Sequence, residues 1–411
     1  MLSQPDQLKD IQSQFQKCVR CGLCRSVCPI FKEDRRETAA PRGKVFLAQM
    51  LAEGEITPDS KAAQNLSMCL MCESCSSECP SGIEVHKIVS LARSMVNENN
   101  PSLTNKANKL IFKDLWSKPS LMNLSFNLIK TGQALGLLDF GTKSGLLPKS
   151  GRLLGELPGK PARQALPEIV PPTTRQKART GYFLGCATNY LYPQVAFSTV
   201  KILSHLGCEV VIPRELTCCG LPQLANGEPA AGHNLARQNL QIFKRAGVEA
   251  VVCDCASCSA TLAENWGQAL PVYDAVKYII QELKLDLSDK KQINNQPIKI
   301  VTYHDPCHLA KAQRIRQQPR QLLQMLPGVE YREMPGADNC CGGAGTFVVK
   351  NYDLSMRILD RKIASIKETG ADIVATCCPT CTMQLKHGLD KHGLQIEVKH
   401  PLELLAETLG L

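Results

Sequence analysis

A chain of 411 residues, 44% of them apolar and 21% charged, has room for two or three domains with buried cores, which excludes a disordered tail and a small stapled scaffold. Twenty-one cysteines behind a polar, leaderless Met1–Gln16 exclude a secreted disulfide framework and point to reduced thiols serving as metal ligands on the cytoplasmic side. The net charge of +10 suits nucleic acid on charge alone, but few aromatics and no recognition module argue against a nucleic-acid reader, and no apolar run reaches the roughly 18 residues of a membrane-spanning helix.

Residues 1–100 carry Cys18-x2-Cys21-x2-Cys24-x3-Cys28-Pro29 and the same run again as Cys69-x2-Cys72-x2-Cys75-x3-Cys79-Pro80. This is the bacterial ferredoxin run for two [4Fe–4S] cubane clusters. Thiolates are soft, strongly donating ligands, and two-residue spacings let three sulfurs of one loop reach three corners of a cubane. In two-cluster ferredoxins the fourth cysteine of each run crosses to the other cluster. That rule implies Cys18, Cys21, Cys24 and Cys79 for one site, and Cys69, Cys72, Cys75 and Cys28 for the other. Eight cysteines in this order, each run closed by proline, leave little room for a zinc site or plain buried thiols. Gly22, between two ligands, is read as a residue of backbone shape. Between the runs, Pro41 opens a helix whose apolar face is Val45, Phe46, Leu47, Met50 and Leu51, and Gly54 stops it.

Residues 101–179 hold an amphipathic stretch from Leu110 to Leu138, then a linker rich in Gly, Pro and Arg that ends at Pro171-Pro172. From Gly141 to Thr180 there are eight Lys or Arg against Glu156 and Glu168, a charge suited to an acidic protein surface or anionic lipid. Phe112, Leu115, Trp116, Leu121, Leu124, Phe126 and Leu128 suit peripheral contact with the inner face of a cell membrane. Packing against the domains that follow accounts for the same pattern more simply.

From Thr180 onward the chain repeats itself at about 121 to 123 residues, as 180–290 and 291–411. The first repeat reads as strand Tyr182 to Leu184, helix Gln194 to Leu206, strand Glu209 to Ile212, helix Ala230 to Ala246 and strand Ala250 to Cys253. The second reads as Ile298 to Tyr303, a helix near Arg320 to Leu326, Val329 to Arg332, helix Asp353 to Glu368 and Ile373 to Thr376. Alternating strands and helices imply parallel or mixed sheets with right-handed crossovers, so the chain is α+β overall: a helical two-cluster domain followed by two α/β repeats. Cys186, Cys218-Cys219-Gly220 and Cys255-x2-Cys258 recur as Cys307, Cys340-Cys341-Gly342 and Cys378-x2-Cys381. Both Cys-x2-Cys pairs fall just past a strand, where open α/β sheets bind ligands. Cys208 is read as a buried strand-end thiol. Cys253 falls on Thr376 and Asp254 on Cys377, so Cys253 and Cys377 break the symmetry and are read as structural, with support of the ligands as the alternative. His304 and His308 flank Cys307 beside Asp305-Pro306, and ordering of a turn is preferred for them over a role at a cluster. Gly342, Gly343 and Gly345 do not match a nucleotide loop.

On these motifs the chain resembles the cysteine-rich CCG family found in heterodisulfide reductases and in iron–sulfur subunits of glycolate oxidase, D-lactate dehydrogenase and anaerobic glycerol-3-phosphate dehydrogenase. Ala40-Pro-Arg-Gly-Lys-Val-Phe-Leu47, Tyr303-His-Asp-Pro-Cys-His-Leu309 and Cys340-Cys-Gly-Gly-Ala-Gly345 carry the resemblance, which covers essentially the whole chain. It implies one further cluster per repeat, a non-cubane [4Fe–4S] group. The ligands would be Cys186, Cys218, Cys219, Cys255 and Cys258 in one repeat, and Cys307, Cys340, Cys341, Cys378 and Cys381 in the other. An ordinary cubane or a zinc on four of each five remains the other occupant. The implied function is an electron-transfer subunit. It would take electrons from an FAD-containing subunit that oxidises a 2-hydroxy acid and pass them to a quinone or another carrier. The rivals are a heterodisulfide-reductase-like catalyst that cleaves disulfides and a subunit of the glycerol-3-phosphate enzyme. No nucleophile–base constellation stands out, so no catalytic residue is assigned.

Overall fold

The computed structural model describes residues 12–99, 111, 116–146, 148–289 and 298–411. Phe112 and Leu115 of the apolar set, and residues 1–11 of the N-terminal stretch, lie outside them. The described chain is helix-rich, with two small sheets.

The N-terminal unit is helical. Helix Pro41–Ala52, opened by its first-turn proline, packs lengthwise on Val85–Asn99 through Val45, Leu47, Leu51, Ile88, Val89 and Leu91. Both cysteine runs lie on loops and short helices at the edge of this pair.

In the first repeat, strands β1 (Ile169–Val170), β2 (Ala178–Tyr182), β3 (Cys208–Val211), β4 (Ala250–Cys253) and β5 (Val272–Asp274) are ordered β1-β3-β2-β4-β5, with only β1 antiparallel. In the second, β6 (Lys299–Tyr303), β7 (Val329–Tyr331), β8 (Ile373–Ala375) and β9 (Glu397–Lys399) are all parallel, in the order β7-β6-β8-β9. The repeats thus share one topology, in which β2 or β6 is flanked by β3 or β7 on one side and by β4 or β8 on the other. That reversal of strand order opens a crevice at the carboxyl ends.

The long helices Pro229–Ala246 and Tyr352–Thr369 end at Gly247 and Gly370, both left-handed, as the sequence pattern implies. Helices Ala256–Trp266 and Pro379–Lys391, strands β1, β5 and β9, and helix Pro401–Leu409 were absent from that pattern. A shared apolar core joins the repeats: Tyr182, Val200 and Leu203 of the first belong with Leu402, Leu405 and Leu385 of the second. The helix Pro193–His205 lies against Pro401–Leu409.

The segment between the units forms helices Pro119–Ala134 and Leu137–Lys143. Met122 and Phe126 pack on Leu157 and Tyr190, and the Phe126 and Tyr190 rings are 5.3 Å apart. Leu124, Leu128, Ile129, Leu135, Leu137, Phe140 and Leu146 are exposed. Packing on the repeats therefore explains only part of this apolar pattern. No helix among the described residues is long and apolar enough to cross a membrane.

Candidate iron–sulfur centres

Two cavities open at the cysteine runs. One is lined by Cys18, Cys21, Cys24 and Cys79, with Cys75 at its border, and the other by Cys28, Cys69, Cys72 and Cys75. Each cavity thus draws one cysteine from the opposite run. The local folding is repeated: Arg20 and Met71 occupy equivalent left-handed positions, as do Gly22 and Glu73. Such turns direct backbone N–H groups inward, where they favour an anion; the Met71 N–H donates to Cys69 Sγ at 3.5 Å. Cys28 caps the helix Pro29–Asp34 and accepts from the Phe31 N–H at 3.5 Å. Burial pushes the Cys28 thiol up to about 11, opposed chiefly by the neighbouring Lys44 ammonium.

In each repeat the cysteines come from three strand ends. Cys186 follows β2, Cys218 and Cys219 follow β3, and Cys255 and Cys258 follow β4; Cys307, Cys340-Cys341 and Cys378-Cys381 follow β6, β7 and β8. Cys255 and Cys378 are N-caps of helices, with Cys258 and Cys381 in the first turn three residues on. That spacing puts both sulfurs of a pair at the positive end of a helix, an influence that favours thiolate against the neighbouring thiols and burial that push Cys255, Cys258 and Cys381 up. The glycine of each CCG is fixed by crowding. Gly220 and Gly342 are left-handed, and a Cβ there would lie 2.3 Å from the Gly232 carbonyl oxygen or 2.7 Å from that of Ser355. The long helix of each repeat therefore crosses directly over the cysteine pair.

Cys218 neighbours Cys186 and Cys219, and Cys219 neighbours Cys258, which neighbours Cys255. In the second repeat, Cys341 neighbours Cys340 and Cys381, and Cys381 neighbours Cys378. Cys307 faces Cys341 and Cys378. The groups also meet one another. The Cys255 thiol adjoins Cys378 across the repeats, and the Cys72 thiol adjoins Cys340, the main influence drawing Cys72 down to about 6.

Three cysteines stay outside these groups. Cys208 is buried at the start of β3 near the Thr180 hydroxyl. Cys253 ends β4 with its side chain fully buried. Cys377 accepts from the buried Tyr303 hydroxyl at 3.4 Å. The same place in the first repeat is held by Asp254, which accepts from Tyr182 and, at 2.9 Å, from Thr188. Burial raises Asp254 to about 6.

The two histidines reach beyond their own turn. His304 lies within reach of Cys341 and Cys381, with no hydrogen-bond partner for its buried Nδ1. Phe183 holds the matching place in the first repeat, 121 residues earlier. His308 spans all three units: Nδ1 is 2.8 Å from Ser257 Oγ of the first repeat and Nε2 is 3.0 Å from the Met71 carbonyl oxygen. The flanking of Cys307 by two histidines was the available signal, but nothing local showed that their rings point to other segments.

The donor sets fit iron–sulfur groups. Four thiols around a cavity match a cubane, and five gathered thiols, two of them adjacent in sequence, exceed what a tetrahedral zinc takes.

Comparison with known proteins agrees with this geometry. The model of a family described as "4Fe-4S dicluster domain" matches residues 14–83, and one described as "Cysteine-rich domain" matches 180–263 and again 301–386. The chain is 32% identical to the probable glycolate oxidase iron-sulfur subunit of Bacillus subtilis, with 98% of each chain covered. It is 28% identical to one of the subunits of the dihydromethanophenazine:CoB–CoM heterodisulfide reductase of Methanosarcina mazei, over 97% of this chain and 95% of that one. The glycolate oxidase iron-sulfur subunit of Escherichia coli is 26% identical, with the same two shares covered.

Proposed function

The chain belongs to the glycolate oxidase iron–sulfur subunit family, and we propose that its four cysteine groups form a single line for electrons through the molecule. It is an iron–sulfur electron-transfer subunit of an oxidoreductase and works with other subunits. The ligands are Cys18, Cys21, Cys24 and Cys79 for the first cubane, and Cys28, Cys69, Cys72 and Cys75 for the second. Each repeat holds a further iron–sulfur cluster on its five cysteines. The observation that carries the reading is the pair of contacts between groups, Cys72 with Cys340 and Cys378 with Cys255. With Cys75 bordering both cubane cavities, they support the order first cubane, second cubane, second repeat, first repeat.

The clusters supply one-electron chemistry. The chain's own residues hold the sites close together, leave only Cys21 of their thiols exposed, and place His308 and Ser257 at the junction. A flavin-bearing partner oxidises the 2-hydroxy acid to the 2-oxo acid, releasing two electrons and two protons. The electrons cross this chain singly, and a quinone takes both with two protons to give the quinol. The exposed apolar face of residues 119–146 beside the first repeat gives a bilayer, the quinone's solvent, a place to rest.

Iron analysis of anaerobically reconstituted protein should give about 16 iron per chain with little zinc; about 8 would leave the repeats without tetranuclear clusters. The partner flavoprotein, given hydroxy acid, should reduce all the clusters. If that flavoprotein turned over with an artificial acceptor yet never reduced this chain, the electron-line reading would be lost. Complete five-cysteine sets in both repeats, with the likeness to a heterodisulfide reductase, favour disulfide cleavage as a second reading. Disulfide reduction driven by an artificial donor would establish it, and a conducting subunit should show none.

A further inference from the structure

We propose that the face around Cys21 is where an acidic protein surface docks to deliver electrons, the surface belonging to the flavoprotein partner. The inference rests on the electron-line reading of the chain. Of the 21 cysteines, Cys21 alone is exposed. Val19 and Leu23 on either side of it are 71% and 50% exposed, and Phe46 nearby is also exposed. An open basin beside Cys21 is lined by Arg25, Lys32, Arg35, Arg42 and Arg361. An apolar centre within a charged rim is the anatomy of a protein interface.

One of the chain's two strongly basic segments lies there, the linker from Gly141 to Thr180 being the other. From Lys17 to Lys44 there are eight Lys or Arg and three acids, so this stretch contributes +5 of the chain's +10. All three acids are engaged locally: Glu33 with Arg357 and Arg361, Asp34 with Arg36, and Glu37 with Arg42. Lys32 and Arg35 have no carboxylate partner among the described residues. Two further cations are held in place over rings, Arg25 at 4.5 Å from the Phe31 centroid and Arg20 at 5.2 Å from that of Phe46. Lys32 and Arg35, left unneutralised in a rim whose other cations are held in place by Glu33 and Glu37, attract an acidic partner and orient it for transfer at the outermost thiol. A bilayer fits less well here, because the exposed apolar face lies against the first repeat, at the other end of the line.

At each encounter one electron passes from the partner's reduced flavin to the first cubane. Two encounters empty the flavin of its two electrons, and its two protons go to solvent.

The test follows cluster reduction by stopped flow, with the iron-loaded chain and the reduced flavoprotein subunit of its own complex. The rate should fall steeply as salt rises. A Lys32→Glu/Arg35→Glu variant should be slower by roughly tenfold or more at low salt and nearly insensitive to salt. Its iron content and spectra should match those of the parent. Lys244→Glu/Arg245→Glu, on the first repeat, should behave as the parent does. Parental rates in the first variant, or a salt-independent parent, would overturn the proposal. So would loss of binding to phosphatidylserine vesicles in the first variant with electron delivery unchanged, since the rim would then serve lipid. Failure of the functional reading is distinguishable: the parent chain would take no electrons from the flavoprotein at any salt concentration.

Discussion

Lys44 shows how much a single side chain contributes at the second cubane site. It is buried, its ammonium donates to the Ala39 carbonyl oxygen, and no carboxylate lies within ion-pair distance of it among the described residues. A charge in that position needs an anion, and the one at hand is the thiolate group around Cys28, whose cavity Lys44 lines. Arg42, two residues earlier on the same helix, lines the first cavity but is neutralised by Glu37. Lys44→Met should therefore lower the potential of the second cubane by on the order of 100 mV and leave the first nearly unmoved. Redox titration followed by electron paramagnetic resonance checks this; equal shifts of both clusters would show a general change of fold instead. The sequence displays Lys44 inside a motif but gives no hint that it is buried. In the same way, the cysteine spacing shows which residues gather, whereas the reach of His308 to Ser257 and Met71 depends on segments far away in the chain.

Helix Val85–Asn99 joins the N-terminal unit to the first repeat, and Arg93 is its main fastening. The guanidinium donates to the carbonyl oxygens of Leu66, Ser67, Cys69 and Ala225, while Ser90 and Asn97 donate to those of Leu224 and Asn226. Arg93→Ala would leave buried carbonyls without donors on both sides of the interface. It should cost about 3 kcal/mol, seen as a lower melting temperature and as proteolytic cleavage between the units. An unchanged melting curve would mean that the interface is held mainly by its apolar contacts. The long helices were legible because each joins a 3.6-residue apolar rhythm to a terminal glycine. The helices after Cys255 and Cys378 lacked such a start in the pattern, although Pro379 at a first-turn position was a usable sign. Strands of two or three residues, such as β1, β5 and β9, are too short for alternation to register.

For the molecule as a whole, the tandem repeat was plain in the cysteine intervals, and so were parallel sheets with thiols at their carboxyl ends. The way the repeats and the N-terminal unit meet was not, because an interface leaves no period in the sequence. It depends instead on single partners, such as Thr346 donating to Asn226 at 2.6 Å and His400 placed 3.0 Å from the Asp254 carbonyl oxygen. Strand β1, from the basic linker, covers the outer edge of β3 through Ile169 opposite Val211 and Val170 opposite Val210. Among the described residues the second repeat has no counterpart to it, and there the edge strand β7 is three residues long and carries Glu330 beside Arg332. Short charged edges resist self-pairing, whereas an uncovered apolar edge invites it. A fragment begun at Arg175 would strip the first sheet of its cover while keeping β2 whole, and light scattering should reveal it clumping, while one begun at Glu168 should stay dispersed. The linker strand is thus a guard against self-association as well as a tether.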